Sequence, residues 1–184
     1  LEENKIKQAQ PEEGNDTAQN EREIRKNIFK NERVNFILGV ILVIFSLYLT
    51  ISFISFFFTG SIDQSKVENL SVGELSSIGN EIQNWTGAFG AYLSNLMINR
   101  WMGISAFIVS LWLYVVGRRF MKVAHTRMIR FTISCALSII VLSLFFGFIF
   151  MHSYNNTFLY LGGYHGYYAT LWLNAWIGPW RSEE

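Results

Sequence analysis

Val34 to Phe58 is an unbroken run of twenty-five residues without a charged side chain. As a helix rising 1.5 Å per residue it reaches about 37 Å, more than the roughly 30 Å of a bilayer's hydrocarbon core. It is too long for the apolar region of a secretory signal and begins thirty-three residues into the chain, so it reads as a retained span. The chain is therefore expected to be an integral membrane protein built from helices.

Charge placement gives the direction of crossing. Arg22, Arg25, Lys26, Lys30 and Arg33 precede the first span, and Arg118, Arg119, Lys122, Arg127 and Arg130 fill 118–130 without a carboxylate. Between these clusters, 59–86 carries Asp63, Glu68, Glu74 and Glu81 against Lys66 alone. The positive-inside rule assigns both basic segments to the cytoplasm and the acidic loop to the outside. A dedicated DNA- or lipid-binding patch is the other reading of 118–130. Attraction to anionic lipid follows in either case.

The organisation follows from these anchors. Residues 1–33 are a polar cytoplasmic tail expected to be largely disordered, with 21–33 able to form a short helix. The membrane domain is 34–180, with spans at about 34–58, 101–117 and 131–150. Outer loop 59–86 leads to a helix over 87–99, where Phe89, Tyr92, Leu93, Leu96 and Met97 recur at helical spacing while Asn95 and Asn99 fall elsewhere. That pattern predicts an amphipathic helix on the outer interface. Arg100 sets the start of the second span, because at a boundary its guanidinium reaches the headgroups. Cytoplasmic loop 118–130 joins spans two and three. The outer segment 151–180 has no Lys, Arg, Asp or Glu and is dense in Tyr and Trp, as interfacial segments are. Within it, 166–177 is read as a second interfacial or re-entrant helix.

A weak internal repeat appears: span, outer loop, then a glycine-led helix, first at Gly87-Ala88-Phe89-Gly90 and again at Gly162-Gly163-Tyr164-His165-Gly166. The second unit lacks a returning span. A fourth span is expected after Gly178-Pro179, either absent or followed by residues 181–184 from beyond a gap. With Leu1 in first position, the true start is expected upstream.

Candidate chemistry is sparse. Cys135 lies within the third span and is read as a packing residue. His125 belongs to the basic loop. His152 and His165 flank the outer aromatic segment without a Cys or carboxylate to complete a metal site. No lysine-bearing phosphate loop, Gly-x-Ser-x-Gly elbow or intramembrane carboxylate pair occurs. No catalytic, cofactor-binding or metal residue is therefore assigned. Ser46, Ser52, Ser55, Ser105, Ser110, Ser134, Ser138 and Ser143, with Gly39, Gly103 and Gly147, are read as close-packing positions between helices.

Several of these runs carry a family resemblance. Leu49 to Ser65 (LTISFISFFFTGSIDQS), Asn84 to Ser94 (NWTGAFGAYLS), Arg100 to Phe107 (RWMGISAF), Gly162 to Trp172 (GGYHGYYATLW) and Trp176 to Gly178 occur in this order and spacing. Together they resemble the amino-terminal four-span membrane domain of bacterial FtsK/SpoIIIE DNA translocases over roughly residues 30–180. The resemblance implies an inner-membrane anchor with a cytoplasmic amino terminus at the division septum. It further implies partners in the bilayer, in other division proteins and in itself as a hexamer, with ATP, Mg and DNA engaged only by a motor domain absent from this sequence. A stand-alone membrane scaffold is the alternative, and a membrane enzyme using His152 and His165 is a third reading.

Orientation is tested by reporter fusions at Leu70, Lys122 and Tyr168, expected to report outside, inside and outside. An outside signal at Lys122 overturns the orientation.

Overall fold

The structure, a computed structural model, describes residues 31–68, 72–75, 78–123, 126–150 and 159–178. Residues 1–30 of the expected tail 1–33, the start of the outer aromatic segment, the place of a fourth span and residues 181–184 lie outside them, while Glu32 and Arg33 of that tail already belong to the first helix. Every regular element among the described residues is helical. We number the α-helices α1 (Glu32–Val67), α2 (Gly87–Ser94), α3 (Ala106–Phe120), α4 (Met128–Ile149) and α5 (Gly163–Ile177). A π-helical stretch (Asn95–Met102) and a 3-10 turn (Gly103–Ser105) join α2 to α3. Three stretches are long and apolar enough to cross a membrane: α1, the run from Gly87 to Phe120, and α4.

The outward faces identify the solvent. Ile37, Ile41, Ile44, Leu47, Ile51 and Phe58 of α1, with Ile133, Leu137, Val141 and Phe145 of α4, are all exposed. In water such a belt would be a large aggregation surface; in lipid it is the expected exterior. The small polar residues go inside. Ser46, Ser52, Ser55, Ser105, Ser110 and Ser143 are buried, together with Leu49, Phe53 and Phe56.

α1 is the long member, and its 36 residues reach about 54 Å. It runs on to Val67, so the expected outer loop begins as helix and part of α1 stands clear of the hydrocarbon core. Its amino-terminal half pairs antiparallel with α3 through a seam of small residues. Near the amino-terminal end of α1 a Cβ on Gly39 would come within 2.7 Å of the Gly117 carbonyl, and one on Gly117 within 2.8 Å of the Gly39 carbonyl. Higher up, the Ser46 hydroxyl donates to the Ser110 carbonyl at 2.7 Å and Thr50 to the Ser110 hydroxyl at 3.2 Å. Gly39 and Ser46 are seven residues apart, as are Ser110 and Gly117, so one small-residue stripe on each helix faces the other. Toward the outside the seam widens to admit Phe53 edge-on to Phe107, ring centroids 5.4 Å apart.

α3 and α4 form an antiparallel hairpin closed by Trp112, whose indole N–H donates to the Thr132 hydroxyl at 3.0 Å. α4 then receives α5 through a second small-residue seam. A Cβ on Gly147 would meet the Gly166 carbonyl at 2.5 Å, and the Ser143 hydroxyl donates to the Gly162 carbonyl at 2.6 Å. Ser143 and Gly147 are spaced four apart, as are Gly162 and Gly166, so each side presents the small-xxx-small pattern that lets backbones touch in lipid. Ser134 and Ser138 depart from the close-packing expectation. Ser134 is exposed and Ser138 half-buried on the open face of α4, because no described helix reaches that turn.

The internal repeat is real in three dimensions. α2 and α5 both begin on a left-handed glycine, Gly87 at φ 79° and Gly163 at φ 68°, a conformation that costs an L side chain more than glycine. Each glycine N–H closes the same turn, onto the Asn84 carbonyl and the Tyr160 carbonyl, both at 2.8 Å. Three residues on, Gly90 packs against Ser52 of α1 and Gly166 against Ser143 of α4. The two units thus use one device: a glycine turn delivers a helix whose next glycine rests on a serine of the preceding span.

Backbone contact at these seams predicts that bulk is not tolerated. Gly117→Leu should destabilise the detergent-solubilised protein by about 1–3 kcal/mol, read as a lowered thermal midpoint. Gly79→Ala should leave it within about 0.5 kcal/mol, because nothing lies within 4 Å of a Cβ there.

Candidate functional site

The polar chemistry gathers at the end of the molecule where α1 terminates. There the chain returns from residue 78 antiparallel to the end of α1, held by side chains rather than by a strand. Lys66 donates to the Glu81 carbonyl at 2.7 Å and its ammonium stands 3.6 Å from the Glu81 carboxylate. Asp63, fully buried, accepts the Gln83 N–H at 2.8 Å, and Ser55 accepts the Trp85 N–H at 3.0 Å. Asn84 donates to the Ser52 carbonyl at 3.2 Å while its own oxygen caps the Thr86 N–H at 3.0 Å. Ser52 then reaches the Gly90 carbonyl and the Ser94 hydroxyl, both at 2.7 Å. Buried backbone groups must be paired, and an irregular segment can lie here only because α1 offers a polar group at nearly every turn. Val67, Leu75, Ala88 and Ala91 close a small apolar core beneath it.

The expected amphipathic helix buries its asparagines, while Leu93 and Met97 pack partly buried against the core. Asn95 and Asn99 are 4 % and 1 % exposed, whereas Phe89 is 45 % exposed on the outward face. The two asparagines, one helical turn apart, build a junction between the two units. Asn99 donates to the Asn95 side-chain oxygen at 3.1 Å and accepts the Tyr160 N–H at 3.2 Å. One residue along from Tyr160, the Leu161 carbonyl accepts the Ile104 N–H at 2.8 Å. Gly103 makes that contact possible. It sits at φ 66° and ψ −147°, essentially glycine-only backbone, and any Cβ would strike the Leu161 carbonyl. The π-helical stretch ends at this break, where α3 starts in a new direction.

Arg100 takes a role beyond reaching the headgroups. Its guanidinium donates to the Glu68 carbonyl at 2.6 Å, placing a cation on an orphan carbonyl at the carboxy-terminal end of α1. Tyr160, Tyr164, Tyr167 and Tyr168 gather nearby with edge-to-face rings, Tyr160 and Tyr164 only 4.6 Å apart. Burial is the main influence raising the Tyr164 phenol above its ordinary value, with Tyr160 and Glu68 adding to it.

The candidate chemical residues do not converge. His165 is exposed on α5 and lines, with Trp101, Met102 and Ile140, an apolar cavity of about 510 Å³. His125 and His152 lie outside the described residues, so a His152–His165 pair is not described. Cys135 is buried at the α3–α4 contact beside Val109 and Trp112. Among the described residues no three His, Cys, Asp or Glu side chains come together as a metal site. The arrangement is suited to holding helices in fixed relation and presenting an outer surface.

Comparison with known proteins gives one match. Residues 31–181 match the family model described as the 4TM region of DNA translocase FtsK/SpoIIIE, while no curated protein and no solved structure matches.

Removing the junction's hub should loosen the two units from each other. Asn99→Leu leaves the Tyr160 N–H and the Asn95 oxygen without this partner, a cost of about 1–3 kcal/mol. The expected readout is faster amide exchange at residues 160–170 with α1 and α3 unchanged.

Proposed function

The chain belongs to the FtsK/SpoIIIE family through its 4TM membrane region, and from that membership we propose that it anchors and localises a DNA translocase at the bacterial division septum. The match over 31–181, on a fold whose described residues include three membrane-crossing stretches, carries this reading. In it the amino terminus is cytoplasmic, the acidic loop and aromatic helix face outward, and the membrane is the bacterial cytoplasmic membrane. A cytoplasmic motor, using ATP and Mg and acting on DNA, belongs to the parent protein. The 4TM region supplies anchoring, self-association into the motor's oligomer, and contact with other division proteins.

The physics of the outer end supports an interaction role. The ladder on α1 and the asparagine junction make the outer cap and α5 one supported unit, so whatever binds there meets a preorganised surface. α2 and α5 are proposed as interfacial helices. Tyr168, Trp172 and Trp176 recur every fourth residue on the exposed side of α5, the face an interfacial anchor uses.

Localisation tests the proposal. The chain fused to a fluorescent protein at its amino terminus, produced in a dividing bacterium, should concentrate at midcell. A signal spread evenly around the periphery would leave the stand-alone scaffold as the better reading.

A further inference from the structure

At the cytoplasmic end the α1–α3 seam opens into a cleft of about 500 Å³ that the anchoring role does not use. Its walls are apolar, from Phe36 and Ile37 of α1 and Phe120 at the end of α3, and its rim carries Arg33, Lys122 and Glu32. Just below, the contact of Gly39 with Gly117 and Met121 brings the two helices together and fixes the floor. Lys122 is the one non-glycine residue with positive φ among the described residues, at 60°, and its ammonium is held 2.5 Å from the Glu32 carboxylate. That turn sets the Lys122 amine at the mouth of the cleft, where the side chain stays exposed to an incoming ligand.

The surroundings are strongly cationic. At the cytoplasmic ends of α1, α3 and α4 stand Arg33, Arg118, Arg119, Lys122, Arg127 and Arg130, against the single carboxylate of Glu32 among the described residues there. Two cations and one carboxylate on the rim, with four more cations at the neighbouring helix ends, favour an anionic occupant, and an apolar cleft opening onto the membrane favours one with a hydrocarbon tail. A phospholipid meets both requirements: the headgroup phosphate between Arg33 and Lys122, an acyl chain along Phe36, Ile37 and Phe120.

We propose that this cleft is a binding site for an anionic phospholipid of the cytoplasmic leaflet, with Arg33 and Lys122 as its phosphate ligands. Glu32 orients Lys122, whose ammonium meets the phosphate beside the Arg33 guanidinium. The site rests on the orientation proposed above only for which leaflet supplies the lipid; its chemistry does not depend on it. The bound lipid would tie the ends of α1 and α3 together where the seam opens.

The test uses the whole chain in symmetric nanodiscs, whose two leaflets are alike, so that its outcome is separate from topology and septal localisation. Nanodiscs of phosphatidylcholine contain either phosphatidylglycerol or further phosphatidylcholine at one fifth of the lipid, and lipids retained after gentle extraction are counted by native mass spectrometry. The wild-type chain should retain phosphatidylglycerol about tenfold over phosphatidylcholine. Arg33→Gln with Lys122→Gln should abolish the preference, whereas Arg33→Lys with Lys122→Arg should keep it, with helix content by circular dichroism alike in all three. Phe36→Ser with Ile37→Ser should lower retention with the basic residues intact. Equal retention of the two lipids by the wild-type chain overturns the proposal. So does a preference undiminished in the double-glutamine variant, which would mean a diffuse basic surface, or one undiminished in the double-serine variant, which would mean headgroup attraction without a cleft.

Discussion

An apolar side chain gains almost nothing by leaving lipid for a protein interior, because hydrocarbon surrounds it in both places. Helices here must therefore be held by backbone contact and by polar groups that lipid cannot satisfy. Gly39 against Gly117, and Ser143 with Gly147 against Gly162 and Gly166, supply the first. Ser46 on the Ser110 carbonyl and Trp112 on Thr132 supply the second. The rest of the molecule hangs on these seams. They set the closeness of α1 to α3, which in turn gives the cytoplasmic cleft its floor and brings the outer half of α1 beside the returning loop.

The two ends of the molecule solve opposite problems. At one end, a segment without regular structure must have its backbone groups paired, and α1 extends far enough to offer Ser52, Ser55, Asp63 and Lys66 as partners. At the other, cationic groups cluster at three helix ends, where Glu32 pairs with Lys122. The glycine turns at Gly87 and Gly163 tie the outer end together, because each aims a short helix back onto the serine face of its own span. A membrane domain so built holds its helices in fixed relation while leaving the rings of Tyr168, Trp172 and Trp176 exposed.

The spans and their order were legible in the sequence because length and the absence of charge follow directly from bilayer thickness. Val34 to Phe58 lies within α1 and Phe131 to Ile149 within α4, with Phe150 at its carboxy-terminal cap, and the five matching runs pointed to the family now shown by the match over 31–181. The candidate site was less legible. Asn95 and Asn99 look like the polar face of a surface helix, and periodicity gives a helix its faces without saying which one meets lipid and which meets protein. Their four-residue spacing beside a span was the available signal, since paired amides next to a membrane are more at home between helices than in lipid. The role of Arg100 on the Glu68 carbonyl depends on thirty-two residues of intervening chain coming back to one point, which no local pattern encodes.

By itself, then, the sequence determined that this chain carries stretches able to cross a membrane and which glycines lead its short helices, because each of these depends on local composition and on the fixed thickness of the solvent. Only the tertiary structure decided that α1 continues to Val67 as a scaffold for the outer loop, that the asparagines are internal, and that Gly103 meets Leu161 to join the two units. Those features are pairings between distant residues. They exist only once the helices have approached closely enough for one backbone to see another.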